Sequence, residues 1–145
     1  MSAESPASTA LAWELRLAAS PEQVFEALTR AEDLARWFCH HAEVEAGAGG
    51  RIVMRWDRPG AVPYQGRWVA FDRPWRCAHE GGNAGYPDGY SGRVSFRLEE
   101  VGGGTRLSIL HELPARPEYA PFVGRYRDAW PRAIARLERL FAPRA

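Results

Sequence analysis

Lysine is absent from this sequence. All nineteen basic residues are arginine, and eighteen acidic residues offset them to give a formal net charge of +1. A protein whose main partner is nucleic acid needs a concentrated basic surface, so this scattered and nearly balanced charge argues against nucleic acid. Long apolar runs are also absent, since no stretch approaches the roughly 18 residues that cross a bilayer. We therefore expect no membrane-spanning segment.

Cysteine is scarce, and no pattern of metal-ligating or nucleophilic residues is present. Cys39 and Cys77 form no CxxC pair and are too few for a disulfide scaffold, so we interpret them as free thiols in a reducing, cytoplasmic setting. The four histidines lack ligand spacing, and the glycine clusters fit neither a phosphate loop nor a dinucleotide fingerprint. The sequence contains no GxSxG motif, so it gives no sign of a covalent nucleophile of that type. The sequence predicts no metal and no cofactor.

Aromatic residues are what the sequence has in excess. They make up 12% of the 145 residues and include six tryptophans. A chain of this length forms one domain with one core. Large rings either fill such a core or line a cleft that holds an apolar ligand.

The order of local patterns predicts the architecture. Residues 1–10 are expected to be flexible and to lack the features of a signal peptide, and residues 11–145 to form one domain. Apolar alternation over 11–17 predicts a strand. Capping boxes at 20–23 and 29–32 then predict two short helices. Alternation between Gly- and Pro-rich turns predicts six further strand segments, at 43–46, 51–56, 66–71, 75–79, 93–99 and 105–113.

The C-terminal segment has the spacing of a one-sided helix through Phe141. Pro131 interrupts this pattern, so we expect either a kink near Trp130 or a helix that begins at Asp128. Residues 80–89 are expected to be a flexible loop, either a plain surface loop or a mobile lid. The whole is an α+β fold: a curved antiparallel sheet of six to seven strands around a long C-terminal helix, with two short helices after the first strand. A helix that crosses a curved sheet leaves a hollow at one end unless large side chains fill it.

The chain resembles the START-like helix-grip superfamily, and within it the group of the activator of Hsp90 ATPase homologue 1. The resemblance lies in ASPEQVFEALT at 19–29, LARWF at 34–38, Gly49-Gly50, GRWVAFDRP at 66–74, VSFRLE at 94–99, GTRLSI at 104–109, and Trp130 with Leu137. It implies the helix-grip fold, but no single activity, because this superfamily includes lipid carriers, hormone receptors, polyketide cyclases and co-chaperone domains. The co-chaperone has an additional N-terminal domain. Because ten residues precede the first strand here, we do not expect stimulation of an Hsp90 ATPase.

The resemblance also implies that a cavity between sheet and helix binds the ligand. Inward strand positions, the last helix and the second short helix would line it. These positions are Trp37, Phe38, Met54, Trp56, Trp68, Cys77, His79, Phe96, His111, Phe122, Tyr126 and Trp130.

Three functions are compatible with this expectation. The first is binding of a hydrophobic or aromatic small molecule, such as a lipid or a polyketide-like metabolite. The second is an aromatase- or cyclase-type enzyme that uses His79, His111 or Tyr126 for proton transfer, or a self-sacrificing resistance protein on the same scaffold. The third is a protein-interaction module, which predicts a solid core and an exposed apolar patch. Plain core packing is the alternative role for each apolar residue of the predicted lining.

Overall fold

A computed structural model describes residues 8–142. The described part contains seven strands, β1 (Ser8–Leu17), β2 (His41–Val44), β3 (Arg51–Arg55), β4 (Tyr64–Asp72), β5 (Arg76–Gly82), β6 (Gly92–Val101) and β7 (Gly104–Pro114). Three α-helices accompany them, α1 (Pro21–Thr29), α2 (Ala31–Trp37) and α3 (Ala120–Leu140). Short 3-10 turns occur at Pro87–Gly89 and Pro117–Tyr119. The predicted α+β class and the order of elements are confirmed.

All neighbouring strands pair antiparallel in one sheet, in the order β1-β7-β6-β5-β4-β3-β2. The strands follow one another as hairpins from β2 to β7, and β1 then pairs along the whole of β7. One face of the sheet packs against the helices and forms the core, which is why apolar and exposed residues alternate along β1 and β6. A register shift between Trp68 and Ala70 interrupts the β4–β5 pairing.

Helix α1 begins as predicted, with a capping box. The Ser20 hydroxyl accepts a hydrogen bond from the Gln23 backbone N–H at 3.2 Å, and the Gln23 side-chain Oε1 accepts one from the Ser20 backbone N–H at 3.0 Å. The second capping box was wrong. Thr29 belongs to the last turn of α1, where its hydroxyl donates to the Phe25 carbonyl at 2.7 Å, and α2 begins after Arg30 without a side-chain cap. Thr29 is buried by α1, so its hydroxyl is turned inward and cannot cap the next helix.

Helix α3 begins at Ala120 and continues through Pro131 to Leu140. Of the two predicted alternatives, the start at Asp128 is therefore wrong. Its buried residues, Trp130, Ala133, Ile134 and Leu137, form a stripe that packs on the sheet. Because this packing holds the turn around Pro131, the helix tolerates one missing backbone donor.

Several strands are longer than predicted, for one reason. β1 begins at Ser8 because Ser8 and Thr9 pair with the end of β7, so residues 8–10 belong to the strand, while residues 1–7 lie outside the described part. β5 likewise continues to Gly82 by pairing with Gln65, which removes residues 80–82 from the predicted loop. Backbone pairing supports polar and glycine residues that alternation alone leaves out of a strand.

Candidate functional site

A cavity of about 660 Å³ lies between the sheet and the helices α2 and α3. Nine of the twelve predicted lining residues border it: Trp37, Phe38, Met54, Trp56, His79, His111, Phe122, Tyr126 and Trp130. Tryptophan rings thus form part of the wall without filling the space. Phe38, directly after α2, and Trp130 of α3 meet in the cavity wall at a ring separation of 5.2 Å.

The cavity ends between two neighbouring rows of inward side chains that cross the sheet. His79 pairs with Val94, and Val94 pairs with His111; all three border the cavity. The next row starts two residues along each strand, with Cys77 beside Phe96 and Phe96 beside Ile109. The cavity therefore ends between these rows.

The predicted lining positions Trp68, Cys77 and Phe96 belong to the core and not to the cavity. Each has at most 2% of its surface exposed. The Trp130 ring lies over Phe96 at 6.3 Å, and Phe71 packs against Trp68 at 5.4 Å. These three side chains face inward as predicted, but they are packed within the core, so they do not line the cavity as predicted.

His111 is held as a neutral ring with both nitrogens in use. Its Nε2 is 3.0 Å from the Ser91 carbonyl oxygen, which can only accept, so Nε2 carries the proton. Its Nδ1 accepts a hydrogen bond from the Trp130 indole at 3.0 Å. Burial lowers the pKa of His111 to about 4, which agrees with this arrangement. His111 therefore positions Trp130 and has no free nitrogen for a ligand.

His79 forms a buried pair with Tyr64. The Tyr64 hydroxyl and His79 Nδ1 are 2.8 Å apart. Burial, assisted by His111, lowers the pKa of His79 to about 3, and burial raises the pKa of Tyr64. Nε2 of His79 has no hydrogen-bond partner among residues 8–142. Whichever atom of the pair carries the shared proton, the pair keeps one donor and one acceptor for a further partner.

The segment between β5 and β6 closes one side of the cavity through Tyr86. The Tyr86 ring lies 4.5 Å from Phe122 and parallel to Tyr126, and the two tyrosine hydroxyls form a short hydrogen bond. Tyr119 anchors the segment, since its hydroxyl is 2.9 Å from the carbonyl oxygens of both Pro87 and Tyr90. The segment is thus tied to α3 and to the turn before it.

Two glycines allow the polar rings to occupy their places. A Cβ at Gly66 would lie 2.6 Å from the Tyr64 hydroxyl oxygen, so a side chain there would displace Tyr64. Gly92 has a φ of +104°, and a Cβ there would lie 2.3 Å from the Glu112 carbonyl oxygen and 3.1 Å from His111 Nε2. Both positions require the absence of a side chain.

Neither cysteine has the surroundings of a reactive thiol. Cys39 borders the cavity, where its thiol lies 3.6 Å from the Leu34 carbonyl oxygen and burial raises its pKa to about 11. Burial also raises the pKa of Cys77. Both are therefore poor nucleophiles near neutral pH. Across residues 8–142, no group of three or more His, Cys, Asp or Glu side chains could hold a metal ion, and no helix is long and apolar enough to cross a membrane.

A helix-backed antiparallel sheet of this topology agrees with the family model described as "Activator of Hsp90 ATPase homolog 1-like protein", which matches residues 18–142. The chain belongs to this family. No curated protein gives a significant match to the sequence.

Solved structures similar to this member of the activator of Hsp90 ATPase homolog 1-like family have low sequence identity and share its fold. Protein MLL2253 from Mesorhizobium loti is 19% identical with a TM-score of 0.79, covering 91% of this chain and 96% of its own. The Aha1 dimer from Colwellia psychrerythraea is 19% identical, with a TM-score of 0.77 and coverages of 92% and 96%. CalU16 from Micromonospora echinospora is 23% identical, with a TM-score of 0.71 and coverages of 92% and 76%.

The sequence prediction missed several residues of the cavity wall in this family member. Tyr64 was missed because it follows Pro63 and the strand was expected to start at Gly66. The available signal for its position was that it lies two residues before a glycine of the same strand. Ser91 was missed because it contributes its backbone carbonyl, which no side-chain pattern reveals. Five arginines also border the cavity, and none of them was among the predicted lining residues.

Proposed function

We propose that the protein binds a hydrophobic or aromatic small molecule, such as a lipid or a polyketide-like metabolite, non-covalently in the cavity between sheet and C-terminal helix. The observation that carries this proposal is the hollow of about 660 Å³ with Trp37, Phe38, Trp56 and Trp130 in its wall. Small-molecule sites commonly have volumes of roughly 300 to 1,000 Å³ and a few polar groups in a mainly apolar lining.

The Tyr64–His79 pair supplies the polar groups of such a site. It offers one donor and one acceptor to a ligand carbonyl or phenol, beside apolar surface from Met54 and Val94. A buried polar pair favours ligands that complete its hydrogen bonds, because a ligand without such groups leaves them unpaired.

Binding is better supported than catalysis. A cyclase would need at least two free polar groups that converge on one point. His111 uses one nitrogen for Ser91 and the other for Trp130, and the Tyr126 hydroxyl bonds to Tyr86. Of the three groups expected to transfer protons, His79 alone keeps a free nitrogen.

The protein-interaction module is the less supported alternative. It predicts a solid core, whereas a hollow lies between sheet and helices. It also predicts a large exposed apolar patch; within residues 8–142 the large exposed apolar side chains are Val62, Val69 and Trp75. Val62 precedes β4, Val69 lies within it and Trp75 follows it, so they are spread along that strand.

The test is ligand screening with a variant that fills the cavity. Fatty acids, flavonoids and aromatic polyketides are screened by thermal shift and native mass spectrometry. Wild-type protein is expected to bind one molecule and to gain RT ln(1 + [L]/Kd), about 2.7 kcal/mol at a hundredfold excess over Kd. Ala129→Trp, which places a ring in the cavity from α3, is expected to abolish binding.

Ala135→Trp is the matched control, because Ala135 is a half-buried alanine of the same helix outside the cavity wall. If Ala129→Trp does not fold, Ala129→Phe fills less space and keeps the comparison. A flat screen with wild-type protein, or equal binding by the Ala129 and Ala135 variants, contradicts the proposal. The same spectra test the alternatives: a changed ligand mass indicates an enzyme, and a cleaved chain indicates a self-sacrificing protein.

A further inference from the structure

The charged residues of the cavity wall all have one sign. Among residues 8–142, five arginines border the cavity and no aspartate or glutamate does. These five, which we call the arginine rim, are Arg36, Arg58, Arg125, Arg132 and Arg136. They are exposed as residues, so their guanidinium groups lie where the cavity opens to solvent.

Three rim residues lie on one face of α3. Arg125, Arg132 and Arg136 are separated by seven and four residues, which places them in one line along the helix. Ala129 and Ala133 lie along the same line and also border the cavity. Small side chains between the arginines leave space for a ligand to lie against this face of the helix.

Rim charges are largely unneutralised by the protein. Within residues 8–142, Arg58, Arg125, Arg132 and Arg136 have no carboxylate within 4.0 Å, and Arg36 has a distant contact of 4.0 Å with Asp33. Helix α3 contains two acidic residues, Asp128 and Glu138, yet neither forms an ion pair with a residue of the described part. Elsewhere Arg30, Arg106 and Arg116 each contact two or more carboxylates. The rim is therefore a local concentration of positive charge on a chain whose net charge is +1.

Contacts within the wall hold two of the rim side chains. Arg136 donates from Nε to the Trp37 carbonyl at 2.8 Å, and Arg125 lies 5.1 Å from the centre of the Phe122 ring. A held guanidinium group loses less freedom when it binds a carboxylate or phosphate through paired hydrogen bonds. Several such groups at the mouth of an apolar cleft also raise the local concentration of anions.

We propose that the ligand is an amphipathic anion, whose apolar body occupies the cavity and whose carboxylate or phosphate group binds at the arginine rim. This inference rests on the proposed function and adds the chemical class of the ligand. It excludes neutral sterol-like or cationic amphiphiles as the preferred occupants, because neither uses the rim.

The test compares probes that share an apolar body and differ in the end group. Dodecanoate is compared with dodecan-1-ol, and 2-naphthoate with 2-naphthylmethanol, by quenching of intrinsic tryptophan fluorescence and by native mass spectrometry. Each acid is expected to bind at least about tenfold more tightly than its alcohol at low ionic strength, with the ratio falling as salt screens the rim. Dodecyl phosphate in the same assay distinguishes a phosphate from a carboxylate end group, and tighter binding of either anion supports the inference.

Two single substitutions distinguish the effect of the arginine rim on binding from the effect of net charge. Arg132→Gln is expected to reduce the acid-to-alcohol affinity ratio severalfold, because only the acid carries the charge that the rim binds. Arg127→Gln is the matched control, since Arg127 is an exposed arginine of the same helix outside the cavity wall.

Equal affinities for acid and alcohol in wild-type protein would overturn the anionic class and leave the proposed function standing. Equal losses of the acid preference in the two variants would also overturn it, because the effect would then belong to net charge. Failure of every probe to bind would instead contradict the proposed function itself.

Discussion

The two ends of the space between sheet and helices are built differently. At the end covered by α1, Phe25 meets Phe71 edge to face at 5.2 Å, and Phe71 meets Trp68 at 5.4 Å, so rings fill the space. At the end covered by α3, Ala129 and Ala133 face the sheet and a hollow remains. Side-chain size on the covering helix, more than the sheet itself, decides where this fold is solid and where it is open.

Polar groups follow the same division. The open end holds Tyr64, His79, His111 and Tyr126, each with a hydrogen-bond partner. In the filled end the Trp68 indole nitrogen is buried without a partner among residues 8–142. The open end is thus an ordered wall, because its polar groups are fixed even without a ligand.

Removing a ring from each end is the strongest way to test this comparison. Phe25→Ala is expected to lower the free energy of unfolding by about 3 to 5 kcal/mol, because Phe25 is fully buried among rings and leaves a new void. Phe38→Ala is expected to cost roughly 1 to 2 kcal/mol, because Phe38 is half-buried and its loss enlarges a hollow that already exists. Urea denaturation measures both. Equal losses would mean that the α3 end is as tightly packed as the α1 end.

Much of this comparison could not be predicted from the sequence. Alternation identified the inward face of each strand, and the capping box at Ser20 located α1, because both signals are local. The same alternation treated Cys77 and His79 alike, although Cys77 is buried in the core and His79 borders the cavity. Which inward residues are covered depends on what the helices place above them, and that contact joins residues far apart in the chain.

The charge on the cavity wall was hidden for a related reason. Arg125, Arg132 and Arg136 have the spacing of a solvated helix face, and the sequence contains many other arginines. They line the cavity together, and no carboxylate from the described part of the chain lies in the wall beside them, which only the packed structure reveals.

Acid pH is expected to lower the free energy of unfolding through the buried histidines of the open end. The pKa of His111 is lowered from 6.5 to about 4. Between these two values the unfolded chain binds a proton at His111 and the folded protein does not. The free energy of unfolding therefore falls as the pH decreases from 6.5 towards 4, by about 2 kcal/mol for this residue at pH 5. His79, with a pKa lowered to about 3, contributes in the same direction.

His111→Gln tests this expectation, because glutamine can still donate to Ser91 and accept from Trp130 without titrating. The free energies of unfolding from urea denaturation at pH 7 and pH 5 are expected to differ by about 2 kcal/mol less in this variant than in wild-type protein. Met54→Leu is the control, since it changes the same cavity wall and leaves both histidines in place. An unchanged pH dependence in the glutamine variant would show that His111 is not buried as a neutral group.

The smallest expected effect concerns two equally buried tryptophans, each 1% exposed. Trp37 donates from its indole to the Ala27 carbonyl at 2.8 Å, and this carbonyl lies in the last turn of α1, where helical partners run out. Trp68 has no such partner. Substitution by phenylalanine removes similar volume from both, but leaves an unpaired acceptor only at Trp37. We therefore expect Trp37→Phe to lower the free energy of unfolding by about 1 to 2 kcal/mol more than Trp68→Phe, measured by urea denaturation. Equal losses would mean that the Trp68 indole has a hydrogen-bond partner in solution. The buried polar groups of the filled end would then be hydrogen-bonded as fully as those of the open end.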